Sequence, residues 1–260
     1  MSAQALAPRR SLARILALEA RCELLKLVRL PAYALPTLGF PLVFYLLFGV
    51  AMNKRPGFDI AAYLLATYGV FGVVGASLFG FGVGVAIERG QGWMLFKRAT
   101  PMPPLAWVAG RLCTSLAFGA VLVALLFLLG ATAGKVELPV TTWLSLAGVL
   151  IAGMVPFAAF GLALGYLAGP NSAPAVVNLI YLPMAIASGL WMPIDFMPKV
   201  FQQIAPWLPT YHFSQLALGV IGMGRGEPVF QGVVMLVGFT VVSLALAWVG
   251  YRRDEGKTVG

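Results

Sequence analysis

The chain has 260 residues, 60% of them hydrophobic and 10% charged, and its mean hydropathy of +0.89 excludes a water-soluble domain with a polar surface. The net charge of +9 would suit nucleic acid, but no nucleic-acid motif accompanies the basic residues, which flank apolar runs. Anionic membrane lipids are the expected partner, and no nucleic acid is expected. The apolar runs lack the alternation that a membrane barrel requires, so the expected fold class is an all-α integral membrane protein.

In chain order, residues 9–29 come first. Ala13, Leu16, Ala17, Ala20, Leu24, Leu27 and Val28 share one helical face, with Arg10, Arg14, Arg21, Lys26 and Arg29 around the rest. This pattern predicts an amino-terminal interfacial amphipathic helix, serving as an anchor or as a brace that also meets a cytosolic partner. The segment is charged throughout and lacks the apolar core of a cleavable signal peptide.

Charge-free runs then span Leu30–Asn53, Ile60–Ile87, Leu112–Gly134, Leu138–Ile194 and Pro228–Tyr251. A helix needs about 20 apolar residues to cross a bilayer, so the fourth run is too long for one helix. It breaks at Gly169-Pro170-Asn171-Ser172-Ala173-Pro174, where prolines and an Asn-Ser pair favour a turn. Six transmembrane helices are therefore predicted: roughly 34–52, 60–87, 105–129, 141–168, 174–193 and 228–251.

The second span carries Gly69, Gly72, Gly75, Gly80, Gly82 and Gly84, whose spacing predicts close helix packing. The fifth contains Asn178 and Ser188. An intramembrane Asn either bonds a neighbouring helix or lines a wet path, and the first is favoured. Before the sixth span, residues 195–227 are punctuated by Pro198, Pro206 and Pro209. They predict a short extracellular helical hairpin, with helices at 198–205 and 210–221 and Phe196, Phe201, Trp207, Tyr211 and Phe213 at the membrane interface.

Thirteen of the 18 Lys and Arg fall on one side of this topology, in 9–29, in the 88–111 loop and after residue 251. The positive-inside rule then places both termini of the multi-pass chain in the cytoplasm. Cys22 and Cys113 lack metal-ligand spacing and are expected to be small packing residues. His212 is the sole histidine, better suited to a structural hydrogen bond than to a metal.

Catalytic chemistry is thin. The spans hold no Asp or Glu, and Ser188-Gly189 with His212 departs from the intramembrane serine hydrolase pattern, because Ile186 stands where that pattern has glycine. No Walker A motif is present. No catalytic, cofactor or metal residue is expected, and the chain is not expected to be an enzyme. The absence of intramembrane acids also weighs against an ion-coupled carrier.

The loop between the second and third spans is the most specific stretch: Glu88-Arg89, Gly92-Trp93-Met94, Ala99-Thr100-Pro101-Met102 and Gly110-Arg111. With Ser188 to Pro193 and Leu208 to His212, and with the order of elements along the whole chain, it resembles the membrane permease subunit of bacterial ATP-binding cassette exporters of the second type. Trp93-Met94 departs from that family's usual Thr-Leu. The resemblance implies one permease domain, 1–260, whose cytosolic coupling loop, 88–104, meets a separate nucleotide-binding ATPase subunit. It implies coupling roles for Glu88, Arg89, Gly92, Trp93, Lys97, Arg98, Thr100 and Pro101, and a homodimer or paired permease. ATP and magnesium would bind in the partner subunit and none in this chain.

In that family the first, second and fifth spans line the route, making Gly72, Gly75, Asn178 and Ser188 candidate path residues. The implied function is export of a lipid-linked, amphipathic or drug-like substrate, for which a route without fixed charge is suited. The alternatives are an unpowered channel or scaffold subunit and an intramembrane hydrolase.

Overall fold

The computed structural model describes the backbone of residues 31–51, 59–93 and 104–257, with Leu18, Arg21 and Cys22; side chains are described over 36–51, 59–93 and 107–254 and at those three positions. Most of the expected interfacial helix, and Lys97, Arg98, Thr100 and Pro101, lie outside the described residues.

Among those residues every regular element is helical. Backbone N–H and C=O groups have no water to pair with in hydrocarbon, and a helix satisfies them within one segment. Helix α1 (Pro31–Phe44) continues into a π-helical stretch at Tyr45–Val50. Helix α2 (Ile60–Ser77) runs through a second π-helical stretch, Leu78–Val83, into α3 (Gly84–Gly90). Then follow α4 (Pro104–Thr132), α5 (Val140–Ala152), α6 (Met154–Leu167) and α7 (Ala173–Ala187). The short α8 (Lys199–Ile204) leads to α9 (Pro209–Val220) and the long α10 (Val229–Lys257).

Several starts are set by proline, whose missing N–H costs nothing in the first turn: Pro104, Pro174 and Pro209 open their helices, and Pro139 and Pro198 precede theirs. Helix α2 starts differently, with the Asp59 carboxylate accepting from the Ala62 N–H at 3.0 Å, an N-cap.

Among the described residues four helical segments are long and apolar enough to cross a membrane: Ile60–Gly90, Trp107–Thr132, Val140–Leu167 and Val229–Asp254. Pro36–Val50 and Ala173–Ala187 are shorter. The segment expected at 141–168 is broken at Gly153. Pro156 supplies no N–H to the Ala152 carbonyl, and a Cβ at Gly153 would lie 2.1 Å from the Phe213 ring. The break lets α9 press an aromatic side chain against the helix backbone.

The segment predicted at 174–193 ends early. Gly189 takes a φ of +73°, the Leu190 N–H bonds the Ala185 carbonyl at 3.1 Å, and the chain leaves the helix in a glycine-terminated turn. At 15 residues, α7 is about 22 Å long, well short of a hydrocarbon core of about 30 Å. The non-helical chain beyond it is met by tyrosines of α2: the Tyr63 hydroxyl donates to the Gly189 carbonyl at 3.2 Å and that of Tyr68 to the Trp191 carbonyl at 3.4 Å.

Helix α2 is the hub, with every residue from Ala61 to Ser77 buried. Its π-helical continuation lies against α6 at backbone distance. A Cβ at Gly161 would sit 3.0 Å from the Ser77 carbonyl and 3.2 Å from the Gly82 nitrogen. One at Gly165 would sit 2.7 Å from the Val85 Cβ and 3.0 Å from the Gly82 carbonyl. Small residues at i and i+4 on α6 meeting glycines of the second span are how membrane helices gain packing area without a hydrophobic drive.

Two expectations need correction. Phe196 and Trp207 are exposed, but Tyr211 and Phe213 are buried, because α9 inserts among α2, α5 and α10 instead of lying along the interface. Cys22 and Cys113 are exposed, so neither packs a core.

The Gly161–Gly165 contact predicts that Gly165→Ala destabilises the protein by about 1–3 kcal/mol, the range for overpacking. Gly148→Ala, where an added Cβ meets nothing within 4 Å, is neutral or slightly stabilising. Thermal unfolding in detergent measures both.

Candidate functional site

At the end of the second span, three charged residues are held by protein. The Glu88 side chain is 11% exposed and that of Arg111, at the start of the third span, 9%. The guanidinium faces the carboxylate in a fork, with Nη2 to Oε1 at 3.2 Å and Nη1 to Oε2 at 3.4 Å. Its other side lies over the Trp107 ring, 5.5 Å from the centroid. Gly84 makes room, since a Cβ there would be 2.7 Å from Arg111 Nη2.

Arg89 points the other way and caps the end of α6. It donates to the carbonyls of Gly165 at 3.1 Å, Ala168 at 2.8 Å and Tyr166, and lies 3.6 Å from the Asp254 carboxylate on α10. The last carbonyls of a helix have no intrahelical partner and carry the negative end of its dipole, so a guanidinium is the natural complement. Together Glu88 and Arg89 tie α3 to α4, α6 and α10. Gly92 follows with a φ of +77°, turning the chain out of the helix, and Trp93 is 55% exposed.

A cavity of about 560 Å³ opens between α1, α2 and α7. Its walls include Gly72, Gly75, Phe40, Phe44, Asn178 and Tyr181. A Cβ at Gly75 would come within 2.8 Å of the Tyr181 hydroxyl, which donates to the Phe71 carbonyl at 2.6 Å. Phe71 stacks on Tyr181 with centroids 4.9 Å apart and meets Trp191 edge-on at 5.8 Å. Asn178 is exposed into this space. The indole N–H of Trp191 is buried with no hydrogen-bond partner among the described residues. An aromatic cavity with two free polar groups and no fixed charge suits an amphipathic guest.

Of the candidate path residues, the structure thus gathers Gly72, Gly75 and Asn178. Ser188 stands apart, buried and hydrogen-bonded to Thr210. His212 Nε2 is 2.8 Å from the Pro206 carbonyl, so Ser188 and His212 do not form a nucleophile and base pair. The Arg89 cap and the part played by Trp191 were not foreseen. Arg89 carried the one available signal, a basic residue where a span meets the loop.

The architecture is that of a multi-pass, all-helical membrane protein built around an apolar cavity. Residues 53–249 match the model of the ABC-2 family transporter protein, and the chain belongs to that family, whose members are transport subunits that pair with an ATP-binding subunit. It is 28% identical over 235 residues to a Bacillus subtilis (strain 168) protein provisionally named transport permease YvfS, covering 90% of this chain and 95% of that one. The inner membrane transport permease YhhJ of Escherichia coli (strain K12) is 29% identical over 123 residues, 42% of this chain and 33% of its own length.

Replacing Glu88 by Gln removes the carboxylate from a buried guanidinium, and a loss of about 3 kcal/mol is expected. The double variant Glu88→Gln/Arg111→Met recovers part of that loss, because no uncompensated charge remains. Denaturation midpoints of the two variants in the same detergent check this.

Proposed function

We propose that this chain is the permease subunit of an ATP-driven exporter. The cavity between α1, α2 and α7 is its substrate route, and the end carrying Glu88 and Arg89 receives a separate ATPase subunit. The observation that carries this is continuity: one helical segment, Ile60–Gly90, bears both the cavity-lining Gly72 and Gly75 and the clamped Glu88 and Arg89. A displacement of its charged end is therefore delivered to the cavity wall.

In this proposal the chain is a single domain of six spans, with 9–29 at the interface and both termini in the cytoplasm of an inner-membrane protein. Two permeases pair, and ATP and magnesium bind in the partner. Glu88 and Arg89 act as the root of the coupling loop, fixing where it leaves the membrane. Gly92, Trp93, Lys97, Arg98, Thr100 and Pro101 present it to the ATPase. Binding of ATP biases the permease between conformations only through contacts that differ between them. A loop rooted in α4, α6 and α10 is suited to such a bias because it cannot move without them. The cargo is amphipathic, with an aromatic or alicyclic body against Phe71 and Tyr181 and a hydrogen-bonding group for Asn178 and Trp191.

With the partner ATPase coexpressed, Lys97→Glu/Arg98→Glu is expected to abolish copurification of the ATPase while leaving the permease in the membrane. Retention of a fully stimulated complex would refute the docking assignment. Asn178→Trp, which fills the cavity, should lower efflux of an amphipathic dye from cells at least about tenfold, a loss of about 1.4 kcal/mol in transport efficiency, with the complex intact. Undiminished efflux would remove the cavity from the route and favour a scaffold role.

A further inference from the structure

A second space lies at the opposite end of the molecule from Glu88. It is a groove of about 870 Å³ between α9, α10 and the break at Gly153, within the size range of ligand pockets, roughly 300–1,000 Å³. None of its lining belongs to the cavity between α1, α2 and α7. It follows α10 from Val229 to Val241, a rise of about 18 Å. That is close to one leaflet's share of a hydrocarbon core of about 30 Å. Its floor is apolar, with Leu216, Val233, Leu236 and Val237.

The mouth is polar and built. Gly222 and Gly226 take φ values of +74° and +80°, and the Arg225 N–H donates to the Gln215 side chain at 3.0 Å, which sets Arg225 and Glu227 at the rim. The Glu227 carboxylate accepts from the Tyr211 hydroxyl at 2.6 Å. Burial first, and then this hydrogen bond, push the Tyr211 phenol up to about 12, so it remains a donor at neutral pH. Arg225 pairs with Asp195 at 2.9 Å and keeps further N–H donors in its fork.

His212 is 1% exposed. The Pro206 carbonyl beside its Nε2 can only accept, so Nε2 carries a proton. Among the described residues Nδ1 has no hydrogen-bond partner, and it lies 3.8 Å from Glu227 Oε2. The rim thus carries a carboxylate, Glu227, and a guanidinium, Arg225, side by side.

We propose that the groove is a site for a phospholipid with a primary ammonium headgroup. Its acyl chain lies along α10, its ammonium donates to Glu227, and its phosphate faces Arg225. A primary ammonium offers several N–H donors and a positive charge, which suit the remaining acceptor capacity of the Glu227 carboxylate. A trimethylammonium offers no donor, and an anionic headgroup meets Glu227 with the wrong sign. The site depends on the chain spanning a membrane and is independent of the transport route.

The test uses the purified full-length chain and native mass spectrometry with phosphatidylethanolamine, its N-methyl and N,N-dimethyl forms, phosphatidylcholine and phosphatidylglycerol, all with the same acyl chains. Retention should fall stepwise with methylation, by at least about tenfold from first to last, as expected for loss of charge-assisted hydrogen bonds. Glu227→Gln should remove the discrimination, leaving phosphatidylcholine retention unchanged, and Thr240→Trp, deep in the groove, should lower retention of all of them. Equal retention across the methylated series, tightest retention of phosphatidylglycerol, or discrimination that survives Glu227→Gln would each overturn the assignment. So would a second copy of the chain cross-linking through cysteines placed at Val233 and Val237. The methylation series needs no variant, so a misfolded mutant does not rescue the idea.

Discussion

The guanidinium of Arg89 lies among acceptors supplied by two other helices: the terminal carbonyls of α6 and the Asp254 carboxylate of α10. Beside it, Glu88 faces Arg111 of α4. Groups this polar at the edge of hydrocarbon are costly unless the protein meets them, and meeting them ties one end of four helices together. The close approach of Gly161 and Gly165 to the second span follows from the same constraint. Arg89 reaches the α6 carbonyls only because the two backbones come within van der Waals contact a turn or two away.

The other end of the molecule solves a different problem. Helix α7 ends short of the full hydrocarbon thickness, and the chain that continues from it must lie among helices without a helix's internal bonding. Tyr63 and Tyr68 meet that backbone from α2, and Thr210 is 3.4 Å from the Met184 carbonyl. The cavity follows from this, because the chain beyond α7 folds Trp191 back against Phe44 and Phe71 and closes the space that a full-length helix would have filled. A cavity bounded by one complete span and two short helices has a wall that can reshape with little loss of regular hydrogen bonding.

Much of this was legible in the residues and some was not. Glycines at three- and four-residue spacing in 69–84 announce close packing, the Gly169–Pro174 turn is where composition placed it, and the hairpin helices begin near their prolines. The break at Gly153 had a signal, Pro156 three residues on, but in an otherwise continuous apolar run proline is compatible with an unbroken helix. Tyr211 and Phe213 read as interfacial because aromatic residues near proline-rich loops often are. What buries them is the three-helix slot into which α9 fits, a tertiary effect no local pattern encodes. The groove along α10 escaped for a related reason, since its lining comes from 149–156, 212–228 and 229–241, whose juxtaposition depends on that same slot. Lys97, Arg98, Thr100 and Pro101 fall outside the described residues, so the tip of the loop rests on its sequence.

The π-helical stretch at Leu78–Val83 has an effect on the chain's tolerance of length change. A π turn accommodates one more residue than an α turn does, so losing one residue there would let the segment close into regular α-helix. Each residue in an α-helix accounts for about 100° of rotation, and the wider π turn spreads a similar rotation over one more residue, so everything past Val83 would keep its orientation relative to the half that lines the cavity. A residue lost from the α-helical part of the segment would instead swing Glu88 away from Arg111 and Arg89 away from α6, though no side chain had changed. The stretch is therefore the place where the segment can lose a residue while the angle between its cavity-lining face and its charged end is kept.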